Sequence, residues 1–243
     1  VREFEGAITE LGFIGAHVYP HWFELAPDHA KYYPFYAKCV ELGVPIQMQV
    51  GQSLIYSPNN PMRSVGRPIA IDTVACDFPE LKIIGIHIGI PWHDEMIAMA
   101  WKHPNVYIGC DAHAPKYWPK SFVEYINSYG EDKVIFGTDF PIIDFSRAMN
   151  EIGELEFKST SLAKLLRYNV EKIYSLMGRN KIPILVGGTA LYLKVLIKDY
   201  NCAVEISERV RKKIQKEILE QGIDQVYKKL EAIDPVFAEK ISG

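Results

Sequence analysis

Apolar residues in the first 176 positions form short continuous runs, separated by longer stretches in which they recur every three or four residues. Continuous runs of this length are typical of strands buried on both faces, and the amphipathic stretches are typical of helices. The alternation predicts βα units around a parallel sheet. Five strands are predicted, at Gly12–His17, Val44–Val50, Lys82–Ile88, Val106–Cys110 and Val134–Gly137.

The helices between these strands are bounded by ordinary start and stop signals. Gly43 and Pro79 follow two of the amphipathic stretches, and Asp94 and Ser121 are suited to cap the start of two others. Helices are therefore predicted over residues 28–42, 69–78, 94–102, 121–130 and 162–177.

The chain changes character near residue 177. Residues 1–176 carry 15 Lys+Arg against 21 Asp+Glu, whereas residues 177–243 carry 12 against 9. All seven histidines and all four tryptophans precede Pro119. Two domains are therefore predicted, 1–176 and 177–243. The second begins with a strand over 181–186 and continues as a small, helix-rich α/β fragment with helices over 190–198, 207–222 and 224–233.

Composition narrows the class of protein. With 48% hydrophobic and 23% charged residues, the sequence is typical of a soluble globular protein, and no apolar stretch is long enough to cross a bilayer. The chain lacks an initial methionine, which suggests that it begins within a longer protein. The four cysteines show no paired spacing, so Cys39, Cys76 and Cys110 are expected to be buried thiols in a reducing, cytoplasmic protein.

Polar side chains recur where the predicted strands end. Because the carboxyl ends of parallel strands meet at one edge of the sheet, these side chains are expected to lie close together. Imidazole and carboxylate groups suit zinc or manganese. The alternative is a purely structural role, in which His17 and His113 only cap strands and Asp139 starts a turn. The polar residues at the predicted strand ends are His17, Gln49, Gln52, His87, Asp111, His113 and Asp139.

Three phrases carry a resemblance to a known family. GRPIAIDTVACDFPELKIIGIHIGIPW, AMAWKHPNVYIGCDAHAPKYWP and DKVIFGTDFP resemble the amidohydrolase-related family, which includes aminocarboxymuconate-semialdehyde and resorcylate decarboxylases. The resemblance covers most of residues 6–176 and implies an incomplete TIM-type (β/α) barrel, in which the five strands are the fourth to the eighth. It implies a catalytic and metal-binding role for His87 and Asp139, around one divalent metal ion, zinc or manganese.

The resemblance also implies the class of reaction. Such a site hydrolyses a small carboxylated substrate through metal-bound water, or decarboxylates it without oxidation. Substrate contacts are expected from His17, Gln49, Gln52 and His113. Arg67 either pairs with the substrate carboxylate or closes a structural ion pair.

Two departures from the family lower the expected activity. The family's first strand carries an HxH pair of metal ligands, and this sequence contains no HxH; the fifth-strand region reads PIQMQVGQSL, with glutamines where relatives often carry a histidine. Amide oxygen binds zinc less well than imidazole does. We therefore expect a site impaired by truncation and too weak to fill at physiological metal levels, and open sheet edges through which the chain oligomerises.

A second resemblance covers residues 178–243. KIPILVGGTALYLKVLIKD, SERVRKKIQKEI and GIDQVYKKLEAIDPVFAEKI are similar to the middle of tRNA dimethylallyltransferase, which prenylates an adenine of tRNA. The resemblance implies that Gly187, Gly188 and Thr189 lie at a catalytic centre and that tRNA is a partner. The phosphate-binding GxxxxGK[ST] of that family is absent from the sequence. Two alternatives therefore stand beside the metal-dependent enzyme: a tRNA prenyltransferase fragment, and an inactive fusion or assembly artefact of two gene fragments.

Overall fold

A computed structural model describes residues 1–52, 62–175, 216–217 and 221–233. Contacts divide the chain into two compact units, Val1–Ile184 and Leu185–Gly243. The domain boundary predicted at residues 176 and 177 lies outside the described residues and stays a prediction. The second unit contains the helix Ile223–Ile233, which confirms the helix predicted over 224–233.

The first unit is built on a parallel sheet of five strands in the order β1-β2-β3-β4-β5. Each strand predicted from the apolar runs is present but shorter than predicted, because the ends of the runs lie in the connecting turns. The strands are β1 (Ala16–Val18), β2 (Ile46–Gln49), β3 (Ile83–Ile86), β4 (Val106–Gly109) and β5 (Val134–Ile135).

Helices connect and flank these strands. Those predicted from periodicity are present, although the last one is interrupted by a π-helical turn at Lys164–Tyr168. The helices of this unit are α1 (Arg2–Thr9), α2 (Pro20–Phe23), α3 (Tyr33–Glu41), α4 (Ala70–Asp77), α5 (His93–Lys102), α6 (Lys120–Ile126), α7 (Phe145–Gly153), α8 (Ser159–Ala163) and α9 (Asn169–Ile173).

Three local predictions were wrong. Helix α5 begins at His93 after Trp92, so Asp94 lies in the first turn and is not the cap; its carboxylate instead accepts a hydrogen bond from Ser121 Oγ at 3.1 Å. Ser121 is itself the second residue of α6, which begins at Lys120. Cys39 and Cys110 are buried thiols as predicted, but Cys76 is exposed, because it lies on the outward side of α4.

Alternate residues of each strand enter two different cores. Ile46, Met48, Ile83, Val106 and Ile108 face the helices and belong to the larger core. Ile84, Ile86 and Ile135 face the other side of the sheet and pack with Tyr174, just after α9. The two-residue period of a strand produces this division. Because apolar side chains cover both faces of the sheet, polar side chains are left to the carboxyl edge of the strands. Within the described residues, no helix is both long and apolar enough to span a membrane.

Candidate functional site

The centre of the candidate site is the imidazole of His87. Strand β3 ends at Ile86, and His87 opens a tight turn with a left-handed φ of 65°. Its Nε2 lies 3.7 Å from Asp111 Oδ2 and 3.6 Å from Asp139 Oδ2. The carboxyl ends of β3, β4 and β5 thus bring an imidazole and two carboxylates together, as the strand-end pattern predicted for His87 and Asp139.

Glycines at the ends of β4 and β5 make room for this group. A Cβ at Gly109 would lie 3.2 Å from Asp111 Oδ1, and a Cβ at Gly137 would lie 3.1 Å from Asp111 Cβ. Both distances are tighter than ordinary contacts, so a side chain at either position would push on the Asp111 carboxyl group. Burial raises the pKa of Asp111, and the neighbouring His87 opposes that shift.

Three further histidines surround His87. Desolvation lowers the pKa of His17, although its side chain is exposed on the edge strand, and the charge of Asp111 acts in the opposite direction. Burial also lowers the pKa of His113, and the proximity of His87 lowers it further. His21 is fully buried, its Nε2 lies 3.1 Å from the carbonyl oxygen of Gly51, and burial lowers its pKa as well. These shifts favour neutral imidazoles, the form that binds a metal ion or accepts a proton.

The other residues predicted to contact the substrate differ in burial and in their partners. Gln49 is buried at the end of β2. Gln52 is exposed, and its side-chain oxygen accepts a hydrogen bond from Ser64 Oγ at 2.8 Å. Arg67 forms a two-pronged pair with Glu95, with an Nε–Oε2 distance of 3.1 Å, and its guanidinium lies 4.7 Å from the centre of the Trp92 ring. The structural ion pair considered for Arg67 is therefore present, while the substrate-binding role stays a prediction.

Two features of the site were missed by sequence reasoning. His21 follows a strand end within Tyr-Pro-His-Trp, and no spacing marks it. The sequence placed Asp111 at the sheet edge but indicated no role for it. Its carboxylate accepts a hydrogen bond from the backbone N–H of His87, 24 residues earlier, and a contact of this kind leaves no sequence motif.

His87 Nε2 lies close enough to either carboxylate for that pair to share a divalent cation, although His87, Asp111 and Asp139 do not form a three-ligand group within 4.8 Å among the described residues. Ligands at about 2.0–2.2 Å from zinc or manganese lie roughly 3–3.6 Å from one another. The separations of 3.6 and 3.7 Å are too long for hydrogen bonds and only slightly wider than that range. Among the described residues a tighter group exists at Asp72, Cys76 and His103, whose ligand atoms all lie within 4.8 Å of one another. There, however, Asp72 already accepts hydrogen bonds from Lys102 and His103, both at 2.6 Å, and the group connects α4 to α5.

Comparison with known proteins identifies the family of this site. The amidohydrolase family model matches residues 1–176. The chain belongs to the amidohydrolase family. Its resemblance to that family, and the expected barrel architecture, are therefore confirmed.

Solved structures of other proteins share the fold. An uncharacterised TIM-barrel protein from Bordetella bronchiseptica is 27% identical, with a TM-score of 0.64 over 73% of this chain and 63% of that protein. A dihydroxybenzoic acid decarboxylase from Polaromonas, solved with bound manganese and the inhibitor 2-nitroresorcinol, has a TM-score of 0.53 at 18% identity, over 72% of this chain and 65% of the decarboxylase. The five-stranded amidohydrolase sheet thus corresponds to part of a TIM barrel.

The end of this amidohydrolase-family chain matches a second family. An IPP transferase model matches residues 152–243. The tRNA dimethylallyltransferase of Rickettsia typhi is 42% identical over 82 residues, which cover 34% of this chain and 26% of that enzyme. The chain thus spans about a quarter of the length of such relatives. The predicted Gly187, Gly188 and Thr189 lie outside the described residues.

Proposed function

We propose that residues 1–176 bind one divalent metal ion at His87 and Asp139 and hydrolyse or decarboxylate a small carboxylated substrate. The observation that carries the proposal is the imidazole Nε2 of His87, which faces carboxylates from two neighbouring strands at 3.6 and 3.7 Å. The family match and the decarboxylase among the fold neighbours support the reaction class.

Each residue of the site has a distinct task in this proposal. Bound at this position, the metal supplies a Lewis acid that polarises a carbonyl or carboxylate. His87 is held by the turn after β3 and presents Nε2 to the ion. The Asp139 side chain is 44% exposed, so its carboxylate reaches both the site and solvent and is suited to move a proton. The neutral imidazoles of His17 and His113 contact the substrate.

Manganese is the metal we propose to test first. Its preference for carboxylate and water ligands suits a site in which the His87 imidazole faces the carboxylates of Asp111 and Asp139, whereas zinc prefers imidazole and thiolate. The manganese in the Polaromonas decarboxylase supports this choice.

Metal analysis and assays of the full chain test the proposal. We expect one equivalent of manganese or zinc per chain after loading, with release of carbon dioxide from a dihydroxybenzoate or hydrolysis of a carboxylated amide. His87→Gln and Asp139→Asn should each abolish turnover. Asp144→Asn is a matched control, because Asp144 caps α7 by accepting a hydrogen bond from Arg147 N at 3.0 Å. A wild-type chain that takes up no stoichiometric metal would refute the proposal.

A second function is favoured by the separate match at the end of the chain. The 42% identity over 82 residues to tRNA dimethylallyltransferase supports tRNA binding by residues 178–243. Salt-dependent binding of tRNA is its test, and the basic residues 209, 211 and 212 are the ones to neutralise. A cytoplasmic location belongs to the same proposal, supported by the buried free thiols of Cys39 and Cys110.

A further inference from the structure

Asp111 contacts His87 in two ways at once. Its Oδ1 accepts a hydrogen bond from the backbone N–H of His87 at 2.8 Å, while Oδ2 lies 3.7 Å from Nε2 of the same residue. One carboxylate therefore accepts a hydrogen bond from the main chain of the central histidine and faces its ring. The Asp111 side chain is only 17% exposed, so these contacts are sheltered from water.

The backbone of His87 needs such support. His87 and the following Ile88 have φ values of 65° and 59°, in the left-handed region that residues with a Cβ adopt at a cost. A charge-assisted hydrogen bond to the His87 N–H stabilises this turn, and the turn decides where the imidazole lies.

Two glycines leave the space that the Asp111 side chain occupies. Gly109 and Gly137 are the inner-face residues that flank Asp111, and a Cβ on either would press on it. A longer side chain at position 111 would not fit the same volume. The mostly buried carboxyl group of Asp111, the left-handed turn at His87 and Ile88, and the two glycines therefore lie next to one another.

We propose that Asp111 is a positioning residue that fixes the His87 imidazole in the orientation needed for metal binding. This inference rests on the proposed metal-dependent function but concerns a residue to which the family resemblance gives no role. Partners that hold a ligand histidine in place commonly raise metal affinity by about 10- to 100-fold, and Asp111 would act here through the main chain of His87.

The first measurement is hydrogen exchange of the His87 amide in the metal-free chain. Asp111→Ala removes the acceptor and should accelerate exchange at His87 and Ile88, with the amides of β4 unchanged. Asp111→Asn keeps an oxygen at the same place and should restore protection. Unchanged exchange at His87 in Asp111→Ala overturns the proposal, and so does equal acceleration throughout β3 and β4, which would indicate a purely structural role.

The second measurement is manganese affinity. Asp111→Ala should weaken binding by about 10- to 100-fold, Asp111→Asn should weaken it less, and the capping variant Asp144→Ala should bind like wild type. Wild-type affinity in Asp111→Ala overturns the positioning role while leaving the metal site intact. If the wild type binds no manganese, the proposed function fails, and the exchange measurement still decides the role of Asp111.

Discussion

At the scale of single residues, the site depends on histidines that are kept neutral by their surroundings. His21 shows this most clearly, because its ring is fully buried and its Nδ1 has no hydrogen-bond partner among the described residues. A Cβ at Gly66 would lie 2.6 Å from the His21 ring, so the ring is closely packed. Protonation would place a charge in this enclosed position without a counter-ion nearby, which is why burial lowers its pKa.

This burial predicts a pH dependence of stability. Above the unfolded-state pKa of about 6.5 His21 is neutral in both states, and below it the unfolded chain binds a proton that the folded chain resists. The free energy of unfolding should therefore fall as the pH drops below about 6.5. His21→Gln should reduce this fall in urea titrations at a series of pH values. Identical slopes for wild type and His21→Gln would contradict the prediction.

At the scale of elements, the short strand β5 is held by a lysine as well as by the sheet. Lys133, immediately before β5, donates from Nζ to the carbonyl oxygens of His103, Pro104 and Val106 at 2.8, 3.0 and 3.1 Å. These carbonyls lie at the start of β4, so one ammonium group joins the amino ends of two neighbouring strands. Since β5 has only two residues, this contact supports the alignment that carries Asp139 to the site.

Removal of this lysine should destabilise the sheet. Lys133→Met keeps most of the aliphatic chain but leaves three carbonyls without their donor, at an expected cost of about 2–3 kcal/mol in the free energy of unfolding. Chemical denaturation monitored by circular dichroism measures it. Lys158→Met is the matched control, because Lys158 is exposed and donates to a single carbonyl, that of Asn127 at 2.8 Å; its loss should cost less than about 1 kcal/mol. Equal costs for the two variants would be evidence against this role of Lys133.

The same elements show what sequence reasoning could and could not predict. The five strands followed from apolar runs, since burial on both faces leaves a strong pattern. Helix α7 was missed although Asp144 precedes an apolar spacing at Phe145, Ala148 and Ile152 that marks a helix. The first turn of α5 and the loop before α4 had to be placed in space before Arg67 could be paired with Glu95. Contacts of this kind join distant segments and leave no local period.

At the scale of the whole molecule, two family matches overlap over residues 152–176. In the structure the described part of this overlap belongs to the first unit. Tyr174 packs in the inner core, Asn169 donates to the carbonyl of Val134 at 2.7 Å, and Lys82 donates to the carbonyl of Ile173 at 2.8 Å. These contacts tie residues 169–174 to the sheet of the first unit, and the division predicted at residues 176 and 177 stays a prediction.

The edge of strand β1 that faces away from β2 leads us to expect self-association. The N–H of Ala16 bonds to the carbonyl of Pro45 beside β2, so the N–H of the alternate residue His17 is directed to the opposite edge. Such an edge can pair with a second copy of the chain. Sedimentation velocity should show dimers that increase with concentration, and the His17 amide should exchange more slowly as they form, while the Ala16 amide stays protected throughout. A monomer at every concentration would refute this prediction.

The final prediction concerns the basic part of the chain. Residues 177–243 carry 12 Lys+Arg against 9 Asp+Glu, in contrast to the acidic first part, and Arg209, Arg211 and Lys212 lie in its match to tRNA dimethylallyltransferases. Each cation that neutralises a phosphate makes binding more sensitive to salt, so replacing all three by glutamine should lower the slope of log affinity against log salt by about 2–3. Filter binding of tRNA between about 50 and 200 mM salt measures this slope.

The control for that experiment is the loss of equal charge elsewhere. Lys31, Lys116 and Lys120 are exposed on the first unit, and their replacement by glutamine changes the net charge by the same amount. If tRNA is held by the segment that matches the prenyltransferases, this control should keep the wild-type slope. If both triple variants lose the same slope, the attraction comes from net charge alone, and the second part of the chain has no dedicated tRNA surface. If the slope falls more in the variant at residues 209, 211 and 212 than in the control, the tRNA contact lies on that segment, and the tRNA-binding function is separate from the metal site.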